Sequence, residues 1–573
     1  MKGAKLQNLI SAARGEKQVD LLLTNTRMIN VFSGEIVSEK IAVAAGYIVG
    51  FGDYPAKETV DLGGRYVAPG FIDSHVHIES AMASVTEFAW AVLPFGTTTV
   101  VADPHEIANV LGIEGIRYML RSSGQQPLNV YFALPSCVPA TDLETSGATL
   151  TADDLQPFLN EERVVALAEM MNFPGVIYAD PEVLRKIDIA RIHRKPIDGH
   201  SPGLTGFELN AYISAGVASD HECTTAAEAR EKLRAGMRIM IREGTGAKNL
   251  HDLLPIVNER TAPRIMWCTD DRHPHDLLDQ GHIDSMVRTA IKQGLDPLLA
   301  VQMATINAAE YFGVNDIGAI APGRRADLVV ISDLDALTID EVYSHGRRVA
   351  EDGNILSAIK KPRPIPVPAS MHLQTETLDF SIPAGKTRAR IIELVPHQII
   401  TRQRIMDVLV TGGSAVSDIS RDILKIAVVE RHRNSGNIGK GFAHGFGLRR
   451  GALASSVAHD SHNIIVVGSN DADMKAAVDA VAKMGGGLVA VCDQKICASL
   501  SLPIAGLMSP EPVQAVRDQL DILNEVSHEL GVKQADPFMI LSFLALPVIP
   551  ELKVTDKGLV DVNQFKVVPL FVD

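Results

Sequence analysis

Two histidines spaced by one residue end an apolar, strand-like run in this chain of 573 residues. The run reads PGFIDSHVH from residue 69 to residue 77. Because alternate side chains of a β-strand share a face, His75 and His77 point the same way, about 7 Å apart along the chain. Two imidazoles held like this can bind one metal ion without rearranging the backbone. Such pairs also occur by chance on surface strands, so the interpretation depends on whether further ligands follow.

Further polar side chains do follow, at the ends of later strand-like segments. Strand-like and helical patterns alternate from residue 69 to residue 315, which is typical of βα units and a parallel sheet. The eight candidate strands are 67–77, 97–103, 129–136, 164–170, 196–201, 216–222, 238–243 and 264–270. Eight units in about 250 residues predict a (β/α)8 barrel of the α/β class, in which the C-terminal strand ends meet at one mouth. Those ends carry His75, His77, Asp103, His105, Glu106, Ser136, Glu169, His200, His221, Glu222, Arg242, Glu243, Asp270 and Asp271.

Six of these side chains form the predicted metal site: His75, His77, Glu169, His200, His221 and Asp270. A single catalytic zinc takes three protein ligands, so this larger set predicts two divalent ions bridged by Glu169 and by a water or hydroxide. Glu169 lies in the apolar run VVALAEMMNF, where a carboxylate without a partner would be costly. We expect Asp270 to act as the proton shuttle, with His221 as the second catalytic residue. Imidazole and carboxylate ligands accept manganese, iron or zinc, so they do not identify the metal.

The order of these motifs resembles that of the amidohydrolase superfamily. In that family HxH ends the first strand, a carboxylate or a carboxylated lysine ends the fourth, histidines end the fifth and sixth, and aspartate ends the eighth. Many members of the family have a carboxylated lysine at the position of Glu169. Only some subgroups have a glutamate there, as this chain does. The chain further resembles bacterial adenine deaminases with an added C-terminal domain. The segments that carry this closer resemblance are GFIDSHVHIES, GTTTVVADPHEIANV, ALAEMMNFPGV, DGHSPG, SDHECTT, IREGTGAKNL, CTDDRHPHD, GFAHGFGLRRGALASSVAHDSHNIIVVG and LSLPIAGLMS.

The resemblance implies a hydrolase that converts adenine to hypoxanthine and ammonia in purine salvage, with two divalent ions, usually manganese or iron. Attack of the bridging hydroxide on C6 places charge on the ring nitrogens, and the amine must be protonated to leave. The candidate substrate contacts are Glu106, Asp271, Glu222, Glu243, His459 and His462, and the sequence does not choose among them. His105 is a candidate for an additional metal or for the substrate.

Two further units flank the predicted barrel, which spans residues 69–315. Residues 1–68 and 316–359 carry short β-patterned runs and predict one small β-sandwich domain, split in sequence by the barrel. The Pro-rich segment 360–370 predicts an extended linker. Residues 371–573 mix strands with helices and predict an additional α/β or α+β domain. We expect its segment HDSH, residues 459–462, to cover the barrel mouth and shield the site from water.

Composition narrows the class of protein. With 46% hydrophobic and 21% charged residues, the chain is typical of globular proteins. A formal net charge of −15 argues against nucleic acid and anionic membranes as partners. The five cysteines are scattered without a CxxC pair, which favours a reducing compartment. With neither a signal-peptide core nor a membrane-length apolar run, we expect a cytoplasmic enzyme. The resemblance adds the expectation of a homo-oligomer such as a dimer.

Two other readings of the sequence stay open. Another amidohydrolase of the same architecture would cleave a cyclic amide or an N-acetyl group with the same ligands, because those ligands serve the nucleophile and not the leaving group. A non-catalytic binding scaffold is the second, although such a protein would be expected to have lost some ligands. The zinc deaminases that act on flipped bases are excluded, because they need H-x-E followed by P-C-x-x-C.

Overall fold

The computed structural model describes residues 3–396 and 398–572. The first segment holds one helix and seven strands: α1 (Gly3–Ala13), β1 (Val19–Thr24), β2 (Arg27–Asn30), β3 (Glu35–Val37), β4 (Ile41–Ala44), β5 (Tyr47–Phe51), β6 (Ala56–Asp61) and β7 (Tyr66–Pro69). Four of these strands pair in the order β5-β4-β1-β6. Helix α1 is amphipathic, and its buried Leu9 and Ala12 pack against Val49 of this sheet.

The second segment forms the barrel. Its strands are β8 (Phe71–Val76), β9 (Thr97–Ala102), β10 (Asn129–Leu134), β11 (Val164–Met170), β12 (Ile197–Gly199), β13 (Ser219–Asp220), β14 (Arg238–Arg242) and β15 (Ile265–Cys268). Strands β8 to β12 pair in parallel, as do β13 to β15. Parallel bridges between Ile197 and Val217 and between Val76 and Asp270 close the ring. The structure therefore confirms the predicted eight-stranded barrel.

Helices follow the barrel strands and cover their outer side. They are α2 (Val85–Val92), α3 (His105–Leu111), α4 (Ile113–Ser122), α5 (Ala152–Leu155), α6 (Phe173–Ile177), α7 (Pro181–Ile192), α8 (Gly206–Ser214), α9 (Ala226–Arg234), α10 (Leu250–Leu253), α11 (Pro274–Asp279), α12 (Ile283–Lys292), α13 (Pro297–Met303) and α14 (Ile306–Tyr311). Local sequence sets where they begin. Asp180 and Asp296 cap α7 and α13 with their carboxylates, and a proline follows each at the first helical position.

After the barrel the chain returns to the N-terminal strands. The returning strands are β16 (Leu328–Asp333), β17 (Thr338–Ser344), β18 (Arg347–Glu351) and β19 (Asn354–Ile355). They join β7, β2 and β3 in a seven-stranded sheet of order β19-β18-β17-β16-β7-β2-β3. Both flanks of the barrel thus contribute to one sheet.

The prediction of one continuous strand over residues 67–77 is wrong. The segment 67–77 forms two strands, since β7 belongs to the flanking sheet and β8 to the barrel. Gly70 separates them, and a Cβ atom there would lie 2.1 Å from the hydroxyl oxygen of Thr98. Only glycine allows this close approach, so the apolar run passes from one sheet to the next without a turn that the sequence pattern could reveal.

The last segment forms a mixed α and β unit. Its elements are β20 (Arg388–Leu394), β21 (Thr401–Asp407), β22 (Leu409–Thr411), β23 (Ser414–Val416), β24 (Ile423–Val429), β25 (Ile438–His444), β26 (Ala452–Ser455), β27 (Ile464–Gly468), α15 (Asp471–Lys483), β28 (Gly487–Cys492), β29 (Lys495–Ser501), α16 (Val513–Glu529), α17 (Pro537–Phe543), β30 (Leu552–Thr555), β31 (Gly558–Asp561) and β32 (Lys566–Val568). Eight strands pair in the order β21-β20-β25-β24-β27-β26-β28-β29. All of these pairs are antiparallel except β20 with β25, which favours the α+β alternative.

Side-chain alternation builds a core on each face of this sheet. On β27, Ile464 and Val466 pack towards α15, whereas Ile465 and Val467 pack towards α16 and α17. The sheet also docks on the barrel. The backbone of Ser509 pairs with Met82 and Ser84, and Asn463 donates to the carbonyl of Thr145 at 2.8 Å. Within the described residues, no helix is both long and apolar enough to cross a membrane.

Truncating the sheet core tests this packing. Ile426 on β24 is fully buried, whereas Ile405 on β21 of the same sheet is 46% exposed. We expect Ile426→Ala to lower the free energy of unfolding of the full chain by about 2–5 kcal/mol, because it removes buried methyl groups and leaves a cavity. Ile405→Ala should change it by about 0.5 kcal/mol or less. Denaturant titration measures both variants, and equal effects would contradict the assigned core.

Candidate active site

A buried carboxylate, that of Glu169, lies at the centre of the barrel mouth. One oxygen, Oε1, lies 3.3 Å from Nε2 of His77 and 3.8 Å from Nε2 of His75. The other, Oε2, lies 2.6 Å from Nδ1 of His200 and 3.3 Å from Nε2 of His221. Each carboxylate oxygen therefore faces its own pair of imidazoles, one pair from the end of β8 and one from the ends of β12 and β13.

Asp270 completes the group beside the first pair of histidines. Its Oδ1 lies 3.0 Å from Nε2 of His77 and 3.6 Å from Nε2 of His75. Asp270 follows β15 with a left-handed φ of +59°, a conformation that costs energy in a residue other than glycine. Its N–H donates to the carbonyl of His75, and its carbonyl accepts from the N–H of His77. The bonds that close the barrel therefore also set the position of this carboxylate.

The donor set fits divalent cations. Nδ1 of His77 donates to the carbonyl of Asp103 at 3.1 Å, which leaves the lone pair of Nε2 directed at Glu169 and Asp270. In the described part of the chain, the buried Nε2 of His221 has no hydrogen-bond partner. Converging imidazole nitrogens and carboxylate oxygens of this kind suit zinc, manganese or iron.

Electrostatics keeps both central carboxyl groups ionised. Burial raises the pKa of Glu169, but the adjacent imidazoles of His200, His221 and His77 outweigh it and hold that pKa well below its usual range. Burial acts in the same direction on Asp270, and its histidine neighbours and Arg242 likewise hold its pKa well below the usual range. The site therefore concentrates negative charge at the positions where cations would be bound.

The predicted substrate contacts Glu222 and Glu243 occupy different surroundings. Glu222 lies 3.4 Å from Nε2 of His221 and pairs with the guanidinium of Arg242, which also contacts Oδ2 of Asp270 at 2.8 Å. Glu243 instead accepts the N–H of Leu250 at 2.8 Å. Of these two, only Glu222 lies beside the candidate metal donors.

The segment after the second barrel strand places His105 in the same cluster. Nδ1 of His105 lies 3.0 Å from Asp103 and 3.4 Å from Oε1 of Glu169, and its ring lies 4.6 Å from that of His77. His105 thus lies within the cluster, where it can reach either a metal ion or a substrate.

Asp271, which follows Asp270, accepts a hydrogen bond from the hydroxyl of Ser80 at the rim of the mouth.

The C-terminal domain reaches the site through Glu106. Oε1 of Glu106 lies 2.9 Å from Nδ1 of His459, and Oε2 accepts from Nε2 of His462. We name these three residues the interdomain clamp. Nδ1 of His462 accepts the N–H of Ala458 at 3.2 Å, so the ring proton lies on Nε2. Because a metal-binding histidine usually donates from its other nitrogen, this tautomer indicates a hydrogen-bonded clamp and not a metal site.

Two buried residues next to the site were missed by sequence reasoning. Glu79 follows the HxH pair, and its Oε1 accepts the N–H of Ile107 at 3.2 Å. Its place in the motif HVHIES was a signal that could have marked it. Arg431 is fully buried and donates to the carbonyls of Ser370, His462 and Ala505. No local pattern marks Arg431, because its partners come from three distant segments.

Comparison with known proteins gives the family. A model of the amidohydrolase family matches residues 66–360, and one described as the adenine deaminase C-terminal domain matches residues 398–566. An adenine deaminase of Desulfatibacillum aliphaticivorans is 59% identical over 563 residues, covering 98% of this chain and 99% of that protein. Adenine deaminase 2 of Carboxydothermus hydrogenoformans is 51% identical, with 99% of each chain covered.

The barrel with its ring of histidines and carboxylates defines an enzyme of the metal-dependent amidohydrolase class. Full-length identity and the C-terminal domain narrow that class further. The chain belongs to the adenine deaminase family.

The clamp predicts a pH dependence of stability. Burial disfavours the charged form of His459, but Glu106 outweighs it and raises the pKa of His459 from 6.5 to about 9. A raised pKa stabilises the fold fully below pH 6.5, and this contribution is lost as pH rises through about 9. The pairing of His459 with Glu106 therefore contributes at most about 3 kcal/mol to the free energy of unfolding.

We therefore expect the thermal midpoint of the native chain to fall more steeply between pH 6.5 and 9 than that of His459→Gln. Differential scanning fluorimetry measures this difference. His251→Gln on α10 is the control, because that histidine lies exposed and away from the clamp. Parallel curves for the native chain and His459→Gln would contradict the ion pair.

Proposed function

We propose that this chain hydrolyses adenine to hypoxanthine and ammonia, as part of purine salvage. The observation that carries the proposal is the Glu169 carboxylate, held between two pairs of imidazoles at the mouth of the barrel. The family membership supports it, because relatives at 59% and 51% identity carry the name adenine deaminase.

Two divalent ions, manganese or iron with zinc as the alternative, are part of this proposal. His75, His77 and Asp270 would hold one ion, His200 and His221 would hold the other, and Glu169 would contact both. When bound, the ions supply the Lewis acidity that makes water nucleophilic at neutral pH. The tautomer of His77 and the unpaired Nε2 of His221 support these assignments.

The residues of the chain handle the protons of the reaction. A C6–O bond forms and the bond from C6 to the exocyclic nitrogen breaks. One proton of the attacking water must reach that nitrogen, and the other must reach N1 of the purine ring, which gives ammonia and hypoxanthine. Asp270 is ionised and lies 3.0 Å from Nε2 of His77, so its carboxylate is placed to take the first proton and pass it to the departing amine. Arg242 contacts Oδ2 of Asp270 and orients it. Nε2 of His221 lies 3.3 Å from Oε2 of Glu169, the carboxylate oxygen that faces away from Asp270. Nδ1 of His105 lies 3.4 Å from the other oxygen, Oε1.

The remaining parts of the proposal concern the whole chain. We propose that residues 1–68 with 316–359, 69–315 and 371–573 form three domains, with residues 360–370 as the linker. The seven-stranded sheet shared by both flanks supports this division. We also propose a cytoplasmic homo-oligomer such as a dimer, which light scattering of the purified chain would test.

An ammonia-release assay tests the function directly. Purified chain reconstituted with manganese or iron is incubated with adenine, adenosine, guanine, a dihydropyrimidine and an N-acetylated compound, and ammonia, ring opening and acetate are measured separately. We expect ammonia and hypoxanthine from adenine alone. Turnover of the dihydropyrimidine without adenine would support a cyclic amidase, and release of acetate from N-acetylated compounds would support a deacetylase. Absence of both bound metal and activity would support a binding scaffold.

Removing the central carboxylate should empty the site. We expect Glu169→Ala to bind well below two ions per chain, because each pair of histidines loses the carboxylate oxygen that it faces. Elemental analysis by plasma mass spectrometry measures the ion content. Glu243→Ala is the control, since Glu243 caps the Leu250 segment and lies outside the donor cluster. Two tightly bound ions in Glu169→Ala would overturn the bridging role.

Asp270→Asn separates proton transfer from metal binding. The amide keeps an oxygen ligand but cannot accept the proton, so we expect a loss of kcat of about 100-fold or more with most of the metal retained. The control is Asp252→Asn on α10, an exposed aspartate remote from the mouth. If Asp270→Asn turned over adenine at the native rate, the assigned shuttle would be wrong.

A further inference from the structure

A narrow cavity lies between the barrel mouth and the C-terminal domain. Its barrel side includes Glu79, Glu106 and His273, and its C-terminal side includes Val457 and His459. The cavity adjoins the candidate metal centre at two points. Glu79 comes two residues after His77, and Ser80, which also lines the cavity, bonds to the carboxylate of Asp271, the neighbour of Asp270.

The walls of this narrow cavity are partly apolar and partly polar. Met82, Val457 and Leu507 provide apolar surface from both domains. Heteroaromatic ligands need such surface against their faces and a few placed polar groups at their edges. The cavity therefore combines apolar surface with carboxyl and imidazole groups.

Most of the polar groups that line the cavity already have partners. Glu106 is bonded to His459 and His462 in the interdomain clamp. His273 faces Asp536 at 3.6 Å.

Glu79 is different from these groups. It is 4% exposed, its Oε1 accepts the N–H of Ile107, and its Oε2 has no hydrogen-bond partner in the described structure. A buried carboxyl oxygen without a partner is costly, so a ligand that brings an N–H donor to it would gain affinity. Glu79 is thus the unsatisfied acceptor at the edge of this cavity.

The proposed reaction fixes which atom of adenine faces the candidate metal centre. The reacting carbon, C6, must face Glu169 and Asp270, and the opposite edge of the bicyclic ring carries N3 and N9–H. Resting on the proposed function, we infer that Oε2 of Glu79 accepts a hydrogen bond from N9–H. This contact selects the free base, because N9 of adenosine is bonded to ribose and has no hydrogen to donate.

A matched pair of inhibitors tests this contact without a change of size. One is 7-deazaadenine, and the other is the furopyrimidine in which an oxygen atom replaces its N9–H. Their inhibition constants are measured against adenine turnover by the metal-loaded full chain. We expect the native chain to bind the N–H compound about 10- to 100-fold more tightly, as a hydrogen bond to a carboxylate predicts.

The variant Glu79→Leu removes the acceptor, so it should bind the two inhibitors equally within about threefold. Glu79→Gln keeps one carbonyl oxygen and should give an intermediate ratio. Glu144→Gln is the matched control. Glu144 is also buried with an unpaired Oε1, but it does not line the cavity, and the native ratio should persist.

The outcomes separate the contact from a structural role and from the proposed function. If Glu79 serves only to accept the N–H of Ile107, its variants weaken both inhibitors equally and the native ratio survives, which overturns the inference. Failure of both compounds to compete with adenine would also overturn it, because the cavity would then not receive the ring. Absence of ammonia release from adenine by the native chain would instead contradict the proposed function.

Discussion

Burial of the Glu169 carboxylate between two pairs of imidazoles is the constraint on which the rest of this structure depends. An isolated buried anion is strongly unfavourable, so the fold must supply positive or polarisable partners on both sides of it. Parallel strands that converge on one mouth are a direct way to do so, because each contributes one or two side chains from a rigid end. The short strands β12 and β13 contribute little to the sheet, yet they deliver His200 and His221.

The hydrogen bonds that close the barrel also position the residues of the site. Asp270 pairs with the backbone of His75 and His77, so the hydrogen bonds that join the last strand to the first also align three of the donors. Below them, fully buried Asp73 accepts hydrogen bonds from the backbone of His75 and from Thr269. The left-handed backbone of Asp270 is therefore held by bonds on both sides of it, as is common for strained residues at functional sites.

The barrel and its donors are predictable from the sequence because both follow from periodic rules. Apolar runs of strand length mark the strands, and polar residues at their C-terminal ends converge in a known topology, so the sequence alone groups His75, Glu169 and Asp270. Other contacts have no periodicity and are not predictable in this way. Gly70 separates two sheets through one close contact, Arg431 bonds to carbonyls from three segments, and Glu106 meets His462 across 356 positions of sequence. Such contacts depend on how domains dock, which local patterns do not encode.

The interdomain clamp has a consequence for the folding of this protein during its synthesis. Domains generally fold in order as a chain leaves the ribosome, so the barrel is complete while residues beyond it are still to be made. Until then Glu106 has no imidazole from His459 or His462, and its carboxylate stays hydrated at an open mouth. A chain released early would hold the donors of the centre in place and still lack one wall of its cavity. Synthesis of the C-terminal domain is thus the step that supplies the imidazole partners of Glu106 and the second wall of the cavity.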